Sequence, residues 1–164
     1  MANGGVGAKH SSHEFPINDD QETKVRNMTN RILIIGAVMA GIGVAAGAFG
    51  AHGLRPILSE KMMAVFETGV RYHLVHAVAM LIAGLSAHWF HYRVFVRAGW
   101  SFWVGILIFS GSLYTLALTE IRTLGILTPF GGLAFLIGWS LLAWGYWQAP
   151  LKPDSSNSES KIDI

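Results

Sequence analysis

Four stretches of about 20 residues, 32–51, 72–90, 98–119 and 129–149, contain no Asp, Glu, Lys or Arg. Each is long enough to cross a hydrocarbon layer of roughly 30 Å as a helix. Such a layer offers no water, so every backbone N–H and C=O must be satisfied within the segment, and a helix does this. The exclusion of charge therefore sets the fold class: an all-α integral membrane protein, folded as a four-helix bundle. A soluble domain would carry about twice the 13% of charged residues found here. A soluble enzyme, a disordered chain and a nucleic-acid-binding module are excluded on the same ground. The net charge of +2 comes with no run of Lys or Arg. The basic residues lie in loops and tails, where they set topology and build no surface for nucleic acid. The chain has no cysteine, which removes disulfides, thiolate metal sites and cysteine nucleophiles.

Residues 1–30 are polar and rich in Gly, Ser, Asn and Asp, the composition of a flexible tail. So long a polar lead also separates residues 32–51 from the pattern of a cleaved signal peptide. Residues 150–164 form a second polar tail. After a turn at residues 52–55, Pro56 and Ser59 mark a helix start. Glu60, Ala64, Glu67, Thr68 and Arg71 then share one helical face, while Met62, Met63, Phe66 and Val70 point elsewhere. That is the pattern of an amphipathic helix lying in the membrane interface before the second span. Joined to that span it would run about 48 Å at 1.5 Å per residue. One crossing does not need that length, so a bend near Gly69 is expected. Residues 91–97 read as a loop carrying Arg93 and Arg97, and Glu120 to Arg122 as a short turn. Pro129 suits the first turn of the last helix.

Four crossings place both termini on one side. Lys24, Arg26, Arg31, Arg93, Arg97 and Lys152 flank that side, against Arg55, Lys61, Arg71 and Arg122 on the other. The balance favours cytoplasmic termini, in a bacterial inner (cytoplasmic) membrane. Trp89, Trp100, Trp103, Trp144 and Trp147 fall at the terminal side as an aromatic belt, with Trp139 deeper.

Lipid is as apolar as leucine, so small residues that let backbones approach must hold the helices together. Gly43 and Gly47 are four apart in the first span. Gly131, Gly138 and Gly145 recur every seven residues in the fourth, which describes a left-handed seam. Gly105 lies on a small-residue face of the third span, between Ser101 and Ser112. Packing is the plain reading of all six, and a ligand slot the alternative.

The spans hold no ionisable group except histidine, which argues against a proton-coupled transporter with a carboxylate in mid-helix. His73 and His76 begin the second span and His52 follows the first. A metal site from these three, or haem ligation by two histidines, is chemically conceivable. Hydrogen bonding to neighbouring helices is the plainer reading. Glu67 and Arg71 stand in the favourable order for an ion pair one turn apart. No catalytic residue, metal site or cofactor emerges, so the expectation is a membrane protein without enzymatic activity. Its partners would be membrane lipids and other membrane subunits or further copies of itself. The alternative is a binder of haem, quinone, metal or lipid through His52, Glu67, Arg71, His73 and His76; a small transporter comes third.

Four motifs in order carry a resemblance. They are Gly47-Ala48-Phe49-Gly50-Ala51-His52-Gly53-Leu54, then Phe66-Glu67-Thr68-Gly69-Val70-Arg71-Tyr72 with His76. Phe109-Ser110-Gly111-Ser112-Leu113-Tyr114 follows, and last Thr128-Pro129-Phe130-Gly131-Gly132 with Gly138-Trp139. Over about residues 31–146 the chain resembles the membrane-protein family of unknown function numbered 423. That family takes in the YgdD-type bacterial proteins and transmembrane protein 256 of eukaryotes. The resemblance implies a small four-helix membrane protein and carries no catalytic residue across.

Overall fold

The computed structural model describes residues 19–90 and 92–149. Along the chain come α1 (Asp19–Phe49), a π-helical turn (Gly50–Leu54) and α2 (Glu60–Phe90). Then follow α3 (Arg93–Gly105), a π-helical stretch (Ile106–Ser110), α4 (Gly111–Thr119), a 3₁₀ turn (Arg122–Ile126) and α5 (Thr128–Gln148). The π stretch joins α3 to α4 as one crossing. Among the described residues, four helices are therefore long and apolar enough to span a membrane.

Three boundaries depart from the sequence reading. The first helix begins at Asp19, inside the stretch assigned to a flexible tail; residues 1–18 and 150–164 lie outside the described residues. Lys, Arg and Met are good helix formers, and this extension is anchored because Thr29 and Ile32 are buried. Arg93 and Arg97, expected in a loop, belong to α3, where Phe95 and Val96 between them are buried. The third difference is in α2, which is a single uninterrupted helix through Gly69. A Cβ on Gly69 would stand 2.9 Å from Cε1 of Tyr114, so this glycine serves close approach to α4 and marks no break.

Two seams hold the helices, and in each an outer helix supplies glycines to large side chains of an inner one. On α5, a Cβ on Gly145 would lie 2.5 Å from Cε1 of Phe95, and one on Gly138 2.5 Å from Cε1 of Phe102. At Gly131 the obstacle is the backbone of Phe109 itself. The ring of Phe135 fills the notch at Gly105 in the reverse sense. Along α1 and into the π-helical turn that continues it, Gly36, Gly43 and Gly50 recur every seven residues. Their Cβ atoms would meet Leu81 Cδ2 at 3.0 Å, Leu74 Cδ2 at 2.7 Å and Phe66 Cε1 at 2.8 Å; Gly47 approaches Val70 less closely, at 3.3 Å. Between the seams, Ala77, Met80, Ala83 and Ala87 of α2 join Phe95, Ala98 and Phe102 of α3 in one buried cluster.

The turns fix the helix ends. Ser59 Oγ accepts a hydrogen bond from the Met62 N–H at 3.3 Å, capping the start of α2. Glu120 takes a left-handed conformation (φ 58°), and its N–H returns to the Leu116 carbonyl at 2.8 Å. At the opposite end of the bundle, Ser86 and Tyr146 share a 2.6 Å hydroxyl hydrogen bond. Trp89, Trp144 and Trp147 are exposed there, outside the bundle.

Candidate functional site

The polar side chains inside the bundle gather on α2 and diverge to different partners. His76 is buried, with its ring stacked on Phe135 at a centroid distance of 3.4 Å. Its Nδ1 lies 2.7 Å from the Tyr72 carbonyl, one turn back. A carbonyl only accepts, so Nδ1 carries the proton. The other nitrogen, Nε2, then accepts from the indole N–H of Trp139 at 3.2 Å. Both ring nitrogens of His76 are thus occupied by the fold. Trp139 owes this position to Gly138, which brings α5 against the Phe102 ring.

His73, three residues earlier, faces elsewhere. Its Nδ1 lies 3.2 Å from the Tyr114 hydroxyl; its buried Nε2 makes no hydrogen bond of good geometry, and the Met39 backbone is the polar group nearest the ring on α1. Ser110, in the π stretch, also buries an unpartnered hydroxyl, whereas Ser112 bonds to Thr128 at 2.9 Å. His52 is exposed on the π-helical turn between α1 and α2. Among the described residues, no three His, Asp or Glu side chains are grouped so as to hold a metal ion. His52, His73 and His76 therefore do not form the three-ligand site weighed from sequence.

The charged residues gather where α1 and α2 meet. Glu67 pairs with Arg55, Nη2 to Oε1 at 3.7 Å, and not with Arg71 as the helical spacing suggested. The π-helical turn folds the chain so that Arg55 reaches α2, a contact invisible to spacing along one helix. Both partners are well exposed, which places the pair among those worth up to about 1 kcal/mol. Arg71 has no ion-pair partner among the described residues. A groove of about 260 Å³ runs beside it, lined by Gly47, Gly50, Ala51, Met63, Phe66, Glu67, Val70 and Arg71. Arg55 was absent from the residues singled out by sequence. The signal lay in its position four residues before Ser59, across the turn from Glu67.

Comparison with known proteins sharpens the identity without adding an activity. The family model described as "Protein of unknown function (DUF423)" matches residues 46–132. A UPF0382 membrane protein of Staphylococcus haemolyticus is 46% identical over 117 residues, covering 67% of this chain and 89% of that protein. The UPF0382 membrane protein YwdK of Bacillus subtilis is 43% identical over 111 residues, covering 67% and 90%. One from Haemophilus influenzae is 44% identical over 119 residues, covering 72% and 94%. No solved structure matches. The motif around Gly47–Leu54, the α2 entry with Glu67 and Arg71, and the Gly131 contact all lie within the matched region. With four spanning helices and these relatives, the chain belongs to the DUF423 family of membrane proteins.

Proposed function

We propose that the protein works by association, as a small non-enzymatic accessory or structural subunit of a membrane assembly or as a homo-oligomer. One observation carries this reading. Gly36 and Gly43 of α1 and Gly50 just beyond it are buried against α2. Ala37, Gly41, Ala45 and Ala48 lie outside the bundle, and a Cβ on Gly41 would meet nothing within 4 Å. A row of small residues spaced three or four apart on an outward helix face permits close approach of another transmembrane helix. The α1 span is also the least enclosed of the four, with 17% of its most apolar window buried against 50% for α2. The basic residues on the terminal side favour cytoplasmic termini, and bacterial relatives named as membrane proteins support a bacterial cytoplasmic membrane.

The test is the mass of the particle in mild detergent, measured by light scattering, for the wild type and Gly41→Leu. The expected result is a particle larger than one chain that Gly41→Leu dissociates while the helical circular dichroism is unchanged. A wild-type monomer with no co-purifying subunit would overturn the proposal.

A further inference from the structure

We infer that the groove between the end of α1 and the start of α2 is a phospholipid site, in which Arg71 holds the phosphodiester and the small-residue shelf seats part of one acyl chain. The first support is depth. From Tyr72 to Phe90, α2 contains no Asp, Glu, Lys or Arg. At 1.5 Å per residue this stretch measures about 28 Å, close to the hydrocarbon thickness of roughly 30 Å. Arg71 is the first charge beyond it on α2, level with Gly47 of α1, so it lies at the hydrocarbon edge and its long side chain extends to the lipid phosphates.

The second support is charge. Arg55 pairs with Glu67 at 3.7 Å, so the carboxylate on the groove wall already has a cationic partner. Arg71 is exposed and has no ion-pair partner among the described residues, leaving a guanidinium free to bind an anion. Across this face Arg55, Lys61 and Arg71 outnumber Glu60 and Glu67, so the local excess is positive. A planar guanidinium donates two parallel N–H bonds to a phosphate oxygen pair, a geometry that lysine does not offer.

The third support is shape. Gly47, Gly50 and Ala51 leave a shelf beside Phe66 and Val70, with apolar walls below the charged rim. At about 260 Å³, the groove falls below the 300–1,000 Å³ typical of drug-sized ligands. It suits the glycerol end of one chain, with the remainder lying in the bilayer along the exposed face of Val44.

Native mass spectrometry of the full chain in detergent, titrated with dioleoyl phosphatidylglycerol, tests the inference. The wild type should retain one phospholipid per chain. Arg71→Gln should lower that occupancy about tenfold, the scale of one charge-assisted hydrogen bond. Ala51→Leu fills the shelf from an exposed position and should lower it while the charge is intact. Arg122→Gln removes a cation outside the groove and should change nothing. Dioleoylglycerol, which has the chains without the phosphate, should not be retained. Equal loss in Arg71→Gln and Arg122→Gln would reduce the effect to general interfacial charge and overturn the site. Full retention in Ala51→Leu, or retention of dioleoylglycerol, would overturn it as well.

Discussion

The glycine seams predict a graded response to one added methyl group, set by what that methyl would meet. In Gly131→Ala the new Cβ would stand 2.7 Å from Cα of Phe109. Carbon contacts settle at about 3.5–4.0 Å, so the third crossing and α5 must separate by about 1 Å. A gap of that size forfeits a quarter to a half of the dispersion energy of each contact it opens. Overpacking in a filled interior costs about 1–3 kcal/mol. Backbone has no rotamer to escape into, which puts Gly131→Ala at the upper end, about 3 kcal/mol. In Gly138→Ala the obstacle is the ring of Phe102, which is fully buried, and about 2 kcal/mol is expected. Gly47→Ala meets only a Val70 methyl at 3.3 Å and should fall within about 0.5 kcal/mol of the wild type. Gly41→Ala meets nothing and should stabilise the helix by up to about 1 kcal/mol through propensity. The assay is SDS-induced unfolding in mixed micelles followed by fluorescence, for which the six tryptophans are intrinsic probes. Pairing Gly138→Ala with Phe102→Leu should restore part of the loss, because the two positions are in contact and couple. A Gly131→Ala protein as stable as Gly41→Ala would refute the packing argument, and so would four variants with equal losses.

Two further predictions concern the buried histidines. Tyr114→Phe keeps the ring contact with Phe66 at a centroid distance of 4.9 Å but removes the hydroxyl partner of the buried His73 Nδ1. A loss of about 1–3 kcal/mol is expected in the same unfolding assay, and an unchanged midpoint would remove the hydroxyl from the account of this site. Trp139→Phe deletes the donor to His76 Nε2, and the loss should lie near the 0.6–1.7 kcal/mol measured for polar contacts between membrane helices. The ¹⁵N spectrum supplies the more direct reading: the Nε2 resonance of His76 should move while Nδ1 stays protonated, and a wild-type ring protonated on Nε2 alone would refute the assigned tautomer.

Charge-free length made the spans legible, because each block had to cross the bilayer and only a helix could do so. Single-helix spacing could not show which residues meet across a turn. It paired Glu67 with Arg71 although Arg55 reaches Glu67 first, and it interpreted Gly69 as a bend although Tyr114 occupies that notch. The helical start at Asp19 was hidden because composition marks solubility of a segment and not whether a packed neighbour extends its helix. Yet the pairing follows a rule the sequence does contain. Phe95 with Gly145, Phe102 with Gly138, Gly105 with Phe135 and Phe109 with Gly131 are each mirror positions about Glu120. In the other hairpin, Leu33 with Gly84, Gly36 with Leu81, Gly43 with Leu74 and Gly47 with Val70 mirror about the junction of Leu58 and Ser59. An antiparallel pair advances equally along both helices, so one fixed point sets these contacts, and Gly50 with Phe66 departs from it by a single residue. The left-handed Glu120 and the Ser59 cap sit at those points. A glycine row every seven residues therefore specifies a helix neighbour only when a phenylalanine or leucine row of the same period lies at mirrored distance from the turn. The register of this bundle is held by its turns, and the glycines record it.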